Sequence, residues 1–139
     1  MPGTILVVDD DPGYIAQLDG LLSRAGHRVI GCITAAEAIK ELTDLRDAID
    51  LAVIDFITHG ISSGFELIGL IQRKLPTVKI IATLPPIGAE LADLAWQNGA
   101  GAIMRRPPPG EPLPETAWLE IIEKKLAEKG PDELGIRRT

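Results

Sequence analysis

Three features of this 139-residue chain predict an α/β fold with a parallel sheet between layers of helix. Five short apolar runs recur along it, and each is followed by a segment with apolar residues at helical spacing. The first of these runs does not alternate apolar with polar residues, as expected of a strand buried on both faces. Proline, glycine and small polar residues punctuate the boundaries. Strand-helix alternation of this kind builds a parallel sheet through right-handed crossovers. With the first helix and the later ones on opposite faces, the strand order is 2-1-3-4-5.

The first strand is Thr4-Ile5-Leu6-Val7-Val8, which stops at Asp9-Asp10-Asp11. Asp11 followed by Pro12 reads as a helix cap with proline in the first turn. The helix behind it carries Ile15, Leu18 and Leu22 and ends at Gly26. The run from Arg28 to Cys32 is the second strand. Thr34 with Glu37 has the spacing of a capping box, opening a helix through about Leu42. Leu51-Ala52-Val53-Ile54 is the third strand, ending at Asp55, and a loop over residues 56–63 follows. Phe65, Leu67, Ile68 and Ile71 stripe the third helix, which Pro76 closes. The fourth strand spans residues 78–83. Leu91, Leu94 and Ala95 mark a fourth helix ending near Gly99, and Ala102-Ile103-Met104 is the fifth strand. A proline-rich turn over residues 107–114 leads to a last helix striped by Leu119, Ile122 and Leu126. Gly130-Pro131 stops it, giving one domain over residues 1–130 and a loose tail over 131–139.

Composition narrows the function. Hydrophobic residues make up 45% of the chain but aromatics only 4%, so aliphatic side chains must fill the core. The net charge of −6 and the scattering of Lys and Arg argue against a nucleic-acid backbone as partner. With Cys32 as the single cysteine no internal disulfide can form, and a reducing cytoplasm fits best. No apolar run is long enough for a membrane span, and the first residues do not read as a secretory signal. Cys32 itself reads as a small core filler, and His27 and His59 as solvated turn and loop residues.

The chemistry concentrates at the strand tips. Asp9 and Asp10 end the first strand and Asp55 ends the third, and the expected topology makes those strands neighbours at the switch point, where open α/β sheets bind ligands. Three carboxylates in one crevice repel, and each raises the others' pKa. A divalent cation relieves that repulsion, and oxygen ligands at a wet site favour Mg2+. A carboxylate beside such a cation can accept a phosphoryl group as an acyl phosphate.

The run Ile5-Leu6-Val7-Val8-Asp9-Asp10-Asp11-Pro12, with Leu51-Ala52-Val53-Ile54-Asp55, resembles the receiver domains of two-component response regulators. Asn98-Gly99-Ala100 upstream of Arg106-Pro107 adds to the likeness, which covers roughly residues 4–128. The resemblance implies a flavodoxin-like three-layer fold. It implies that Asp9, Asp10, Asp55 and the backbone carbonyl of Ile57 hold Mg2+. It implies that Asp55 accepts phosphate from a histidine kinase or phosphotransfer protein, with no enzymatic turnover beyond making and losing its own phosphoryl group. Output would be contact with a downstream protein through strand 5, helix 4 and helix 5, with homodimerisation open and neither nucleic acid nor membrane involved.

Four departures from the family pattern stand out. The family's Met-Pro after the acceptor is absent, and the stretch from Phe56 to Gly64 is one residue longer. The family's strand-4 hydroxyl falls on Leu84 by strict spacing, with Thr83 one position earlier. Arg106 stands for the family's Lys, keeping the charge in a planar, bidentate group. Ile103 stands for its strand-5 aromatic. These changes motivate one alternative, a degenerate receiver binding partners without phosphorylation. A remoter alternative takes Val8-Asp9-Asp10-Asp11 as the start of a haloacid-dehalogenase-like phosphatase, with Asp9 as nucleophile and Asp11 as general acid. Trp96 and Trp118 lie on the last two helices, where an exposed tryptophan would mark an interface.

Overall fold

The computed structural model describes residues 2–45, 48–57, 61–86 and 88–128, with backbone alone for 61–63. Ten elements alternate: β1 (Thr4–Val8), α1 (Pro12–Arg24), β2 (Arg28–Cys32), α2 (Ala35–Asp44), β3 (Leu51–Asp55), α3 (Ile61–Lys74), β4 (Lys79–Leu84), α4 (Ala89–Gln97), β5 (Ala102–Arg105) and α5 (Glu115–Ala127). The strands form one parallel sheet in the order β2-β1-β3-β4-β5, as the sequence predicts. No helix among the described residues is long and apolar enough to cross a membrane.

Strand alternation divides the core into two layers. Ile5, Val7, Leu51, Val53 and Ile81 face α1 and α5, packing with Leu18, Leu22, Trp118 and Ile122. Leu6, Val8, Ala52, Ile54 and Ala82 face α2, α3 and α4, packing with Leu42, Ile68, Ile71 and Ala95. Both faces of β1 and β3 are therefore apolar, which is why these strands show no alternation in the sequence.

The caps follow from the local sequence. Asp11 Oδ1 accepts from the N–H groups of Gly13 and Tyr14, and Pro12 opens α1. Thr34 accepts from Glu37 N–H, while the Glu37 carboxylate accepts from Ile33 N–H, one residue before the cap. Gly26 and Gly99 take positive φ past the ends of α1 and α4.

Several sequence expectations need correction. Helix α3 begins at Ile61, inside the stretch expected to be loop. Its start is packed against the exit of β3: a Cβ on Gly64 would fall 2.1 Å from the Asp55 carbonyl oxygen. Strand β4 is shifted one residue, ending at Leu84. On α4 Ala95 is buried, but Leu94 points outward. On α5 the fully buried residues are Trp118 and Ile122, with Leu119 and Leu126 only partly covered, because the large indole takes the core position. His27 is not a solvated turn residue. Its ring is buried, Nδ1 accepts from Gly3 N–H at 3.1 Å, and Nε2 lies 3.2 Å from Glu123. Cys32 is a buried core residue as expected. His59 and the expected tail over 131–139 lie outside the described residues.

Candidate functional site

The site forms where β1, β3, β4 and β5 end together. Backbone pairing carries it to the strand tips: Asp9 N–H donates to Cys32, Phe56 N–H to Thr83 and Arg106 N–H to Leu84. Asp9 follows Val7 on the face of the sheet that packs against α1 and α5. Asp55 occupies the same face of β3. One carboxylate oxygen from each of Asp9, Asp10 and Asp55 lies within 4.8 Å of the other two. Asp9 and Asp55 are buried and Asp10 is exposed.

Hydrogen bonds fix these groups. Asp9 Oδ1 accepts from Asp11 N–H at 2.9 Å, and Asp55 Oδ1 accepts from Ile57 N–H at 3.2 Å. The latter bond holds the Ile57 peptide beside the Asp55 carboxylate. Asp9 Oδ2 is buried with no hydrogen-bond partner among the described residues. Burial pushes the Asp9 carboxyl up to about 6, the charges of Asp55 and Asp10 adding to the rise while the Asp11 N–H and Arg106 oppose it. Burial also raises Asp55, against the Ile57 N–H and Arg106. A buried acceptor oxygen with no donor, beside two more carboxylates, is a donor set suited to a hard cation.

Arg106 reaches into the crevice from beyond β5. Its Nη1 lies 3.4 Å from Asp9 Oδ1 and 3.9 Å from Asp55 Oδ2, and Nη2 lies 3.3 Å from Asp11 Oδ2. The guanidinium carbon sits 4.1 Å from the centre of the Tyr14 ring. Asp11, expected to cap α1, therefore does two things, capping with one oxygen and pairing with Arg106 through the other. Nothing in its sequence position signals the second contact. Tyr14 was not among the expected site residues either.

Thr83 is paired directly with Asp55 across β3 and β4, so the two side chains share a face. Its hydroxyl is buried without a hydrogen-bond partner among the described residues. Leu84, the position given by strict spacing, points to the opposite layer and packs in the core. Arg105 donates to the backbone carbonyls of Pro85 at 2.9 Å and Gly88 at 3.2 Å, tying the β4–α4 connection to β5. Ile103 is partly buried in the layer facing α4.

Five parallel strands in this order, with the acidic triad at their shared tips, agree with what the comparisons find. The chain is 36% identical over 129 residues to the two-component response regulator ORR27 of Oryza sativa subsp. japonica, covering 88% of this chain and 19% of that protein. It is 26% identical over 130 residues to the transcriptional regulatory protein GlrR of Escherichia coli, covering 94% of this chain and 28% of that one. A crystal structure of a CheY-like response regulator receiver domain protein from Methanospirillum hungatei superposes with a TM-score of 0.77 at 25% identity, covering 91% of this chain and 94% of that chain. The chain is a receiver domain of the response-regulator class. No family model matches it. This receiver domain spans only a fifth to just over a quarter of those curated relatives, 19% and 28%. What the remainder of each does is a property of that protein. The phosphatase alternative assigns Asp11 as general acid, yet here Asp11 caps α1 and pairs with Arg106.

Proposed function

We propose that this receiver domain accepts a phosphoryl group on Asp55 from a histidine kinase or phosphotransfer protein, with Mg2+ held by Asp9, Asp10, Asp55 and the Ile57 carbonyl. The observation that carries the reading is the meeting of the three carboxylates at neighbouring strand tips, with a guanidinium beside them. When bound, Mg2+ would offset the carboxylates' repulsion and the charge of an incoming phosphoryl group.

The chain's own residues do the rest. The Asp55 carboxylate, held by the Ile57 N–H, attacks phosphorus in line as the bond to the donor's imidazole nitrogen or acyl oxygen breaks. The leaving group departs with the bonding pair, and Asp55 becomes an acyl phosphate. Arg106 supplies positive charge for the transferred oxygens, and the Thr83 hydroxyl, which has no hydrogen-bond partner among the described residues, is on the correct face to donate to one of them. Output is by contact with a downstream protein over β5, α4 and α5, where Trp96 and Leu94 are exposed large apolar side chains.

The test is intact-mass spectrometry after treatment with acetyl phosphate and Mg2+. The wild type gains one phosphoryl group, and Asp55→Asn or omission of Mg2+ abolishes the gain. A wild type that gains none, or an Asp55→Asn variant that still does, overturns the reading. One observation favours the phosphorylation-independent alternative. Arg106 contacts Asp9 and Asp11, so the chain's own guanidinium places a cation in the acidic crevice. That alternative expects no adduct, and partner binding unaltered by Asp55→Asn.

A further inference from the structure

We propose that Tyr14 is the positioning residue for Arg106. Its buried ring is the surface over which the guanidinium sits, and this keeps the cation over the Asp9–Asp55 crevice. The proposal deepens the phosphoacceptor reading and rests on it for its kinetic consequence.

The geometry begins at the first turn of α1. Asp11 Oδ1 caps that turn by accepting from Tyr14 N–H at 3.3 Å, while Asp11 Oδ2 lies 3.3 Å from Arg106 Nη2. One carboxylate thus fixes both the backbone that carries the ring and the cation that covers it. The ring is only 6% exposed, and the guanidinium carbon is 4.1 Å from its centre. Trp118, fully buried, belongs to the same core cluster as Tyr14 beneath α1 and α5. The tyrosine is therefore held in the packed core, with the arginine over one face of its ring.

The chemistry explains why an aromatic belongs there. A guanidinium is planar, and its delocalised charge is weakly hydrated, so it gains from stacking on a π face. A lysine ammonium is a compact, strongly hydrated point charge that has no such plane to match. The ring is thus required by the arginine in particular, and Tyr14 and Arg106 form a functional unit.

The proposal predicts a specific pattern in the initial rate of Mg2+-dependent adduct formation from acetyl phosphate. Tyr14→Phe keeps the ring face and stays within about twofold of wild type, whereas Tyr14→Leu slows the reaction about fivefold or more. In an Arg106→Lys background, Tyr14→Leu changes the rate by less than about twofold, because the stacked partner is gone. Equal slowing by Tyr14→Leu in both backgrounds marks a merely structural role and overturns the proposal, as does no slowing with arginine present. A readout without phosphorylation separates this inference from the reading it rests on. In NMR spectra of the untreated protein, the Arg106 side-chain protons show an upfield ring-current shift that persists in Tyr14→Phe and vanishes in Tyr14→Leu. If the wild type takes no phosphoryl group, the phosphoacceptor reading fails and the ring-current pattern alone decides the positioning: its presence supports the stacking, and its absence from the wild type overturns it.

Discussion

Asp9 is a carboxylate whose second oxygen is buried without a donor among the described residues, and its charged form is disfavoured by that burial. Its pKa rises from 3.8 to about 6 on folding, mainly by burial. Between those two values the folded chain binds more protons than the unfolded chain, so the group contributes a loss of stability as pH rises through that window. Asp55 shifts in the same direction and adds to the effect. Asn at position 9 keeps an oxygen for the Asp11 N–H and removes the charge. Urea denaturation without divalent ions should therefore show Asp9→Asn more stable than wild type at pH 7, by about 2 kcal/mol, and nearly equal to it below the ordinary carboxylate range. A variant less stable than wild type at both ends would contradict this account of the buried charge.

At this scale the acidic triad was legible in the sequence, since strand-end position and topology place carboxylates at a crevice without knowledge of side-chain contacts. The strand-4 hydroxyl was not. Thr83 and Leu84 differ by one residue and hence by a whole face of the sheet, and only the Asp55–Thr83 pairing settles which looks toward the site. The Arg106–Asp11 and Arg106–Tyr14 contacts join residues more than ninety positions apart. No local pattern encodes such contacts.

Among the elements, α3 depends on a residue with no side chain. A Cβ at Gly64 would meet the Asp55 carbonyl oxygen at 2.1 Å and the Phe56 carbonyl oxygen at 2.6 Å. Both obstacles are backbone, so α3 would have to move away from the very strand exit that carries Asp55. Gly64→Ala should cost about 3 kcal/mol in chemical denaturation, despite alanine's better helix propensity. Unchanged stability would mean that α3 does not pack this closely on β3. The same approach explains why α3 starts earlier than its sequence suggests: Ser62 and Ser63 read locally as loop, and tertiary packing overrides that preference. The central strands β1 and β3 were most legible because burial on both faces leaves an unbroken apolar run. The helix faces were less so, because α4 and α5 each offer two adjacent apolar stripes. Leu94 and Leu119 lie beside the positions that the core takes, Ala95 and Trp118. Periodicity fixes the spacing of a stripe better than it fixes which of two neighbouring stripes turns inward.

For the molecule as a whole, a net charge of −6 and an acidic crevice at one end of the sheet create a field that attracts cations and resists a second anion. Arg106 relieves part of that field, leaving the exposed Asp10 and the bare oxygen of Asp9. Calorimetric titration of Mg2+ into the wild type, Asp10→Asn and Asp55→Asn, with melting temperatures read alongside, tests this arrangement most directly. Asp10 is the cleanest probe, since its exposed side chain lies outside the core. The wild type should bind one Mg2+ and melt higher in its presence, gaining about 2.7 kcal/mol when the free ion is at a hundred times its Kd. Both variants should lose most of that affinity and of the gain. A wild type that binds no Mg2+, or variants that bind it as well as the wild type, would contradict the claim that these strand tips form one cation-binding hollow.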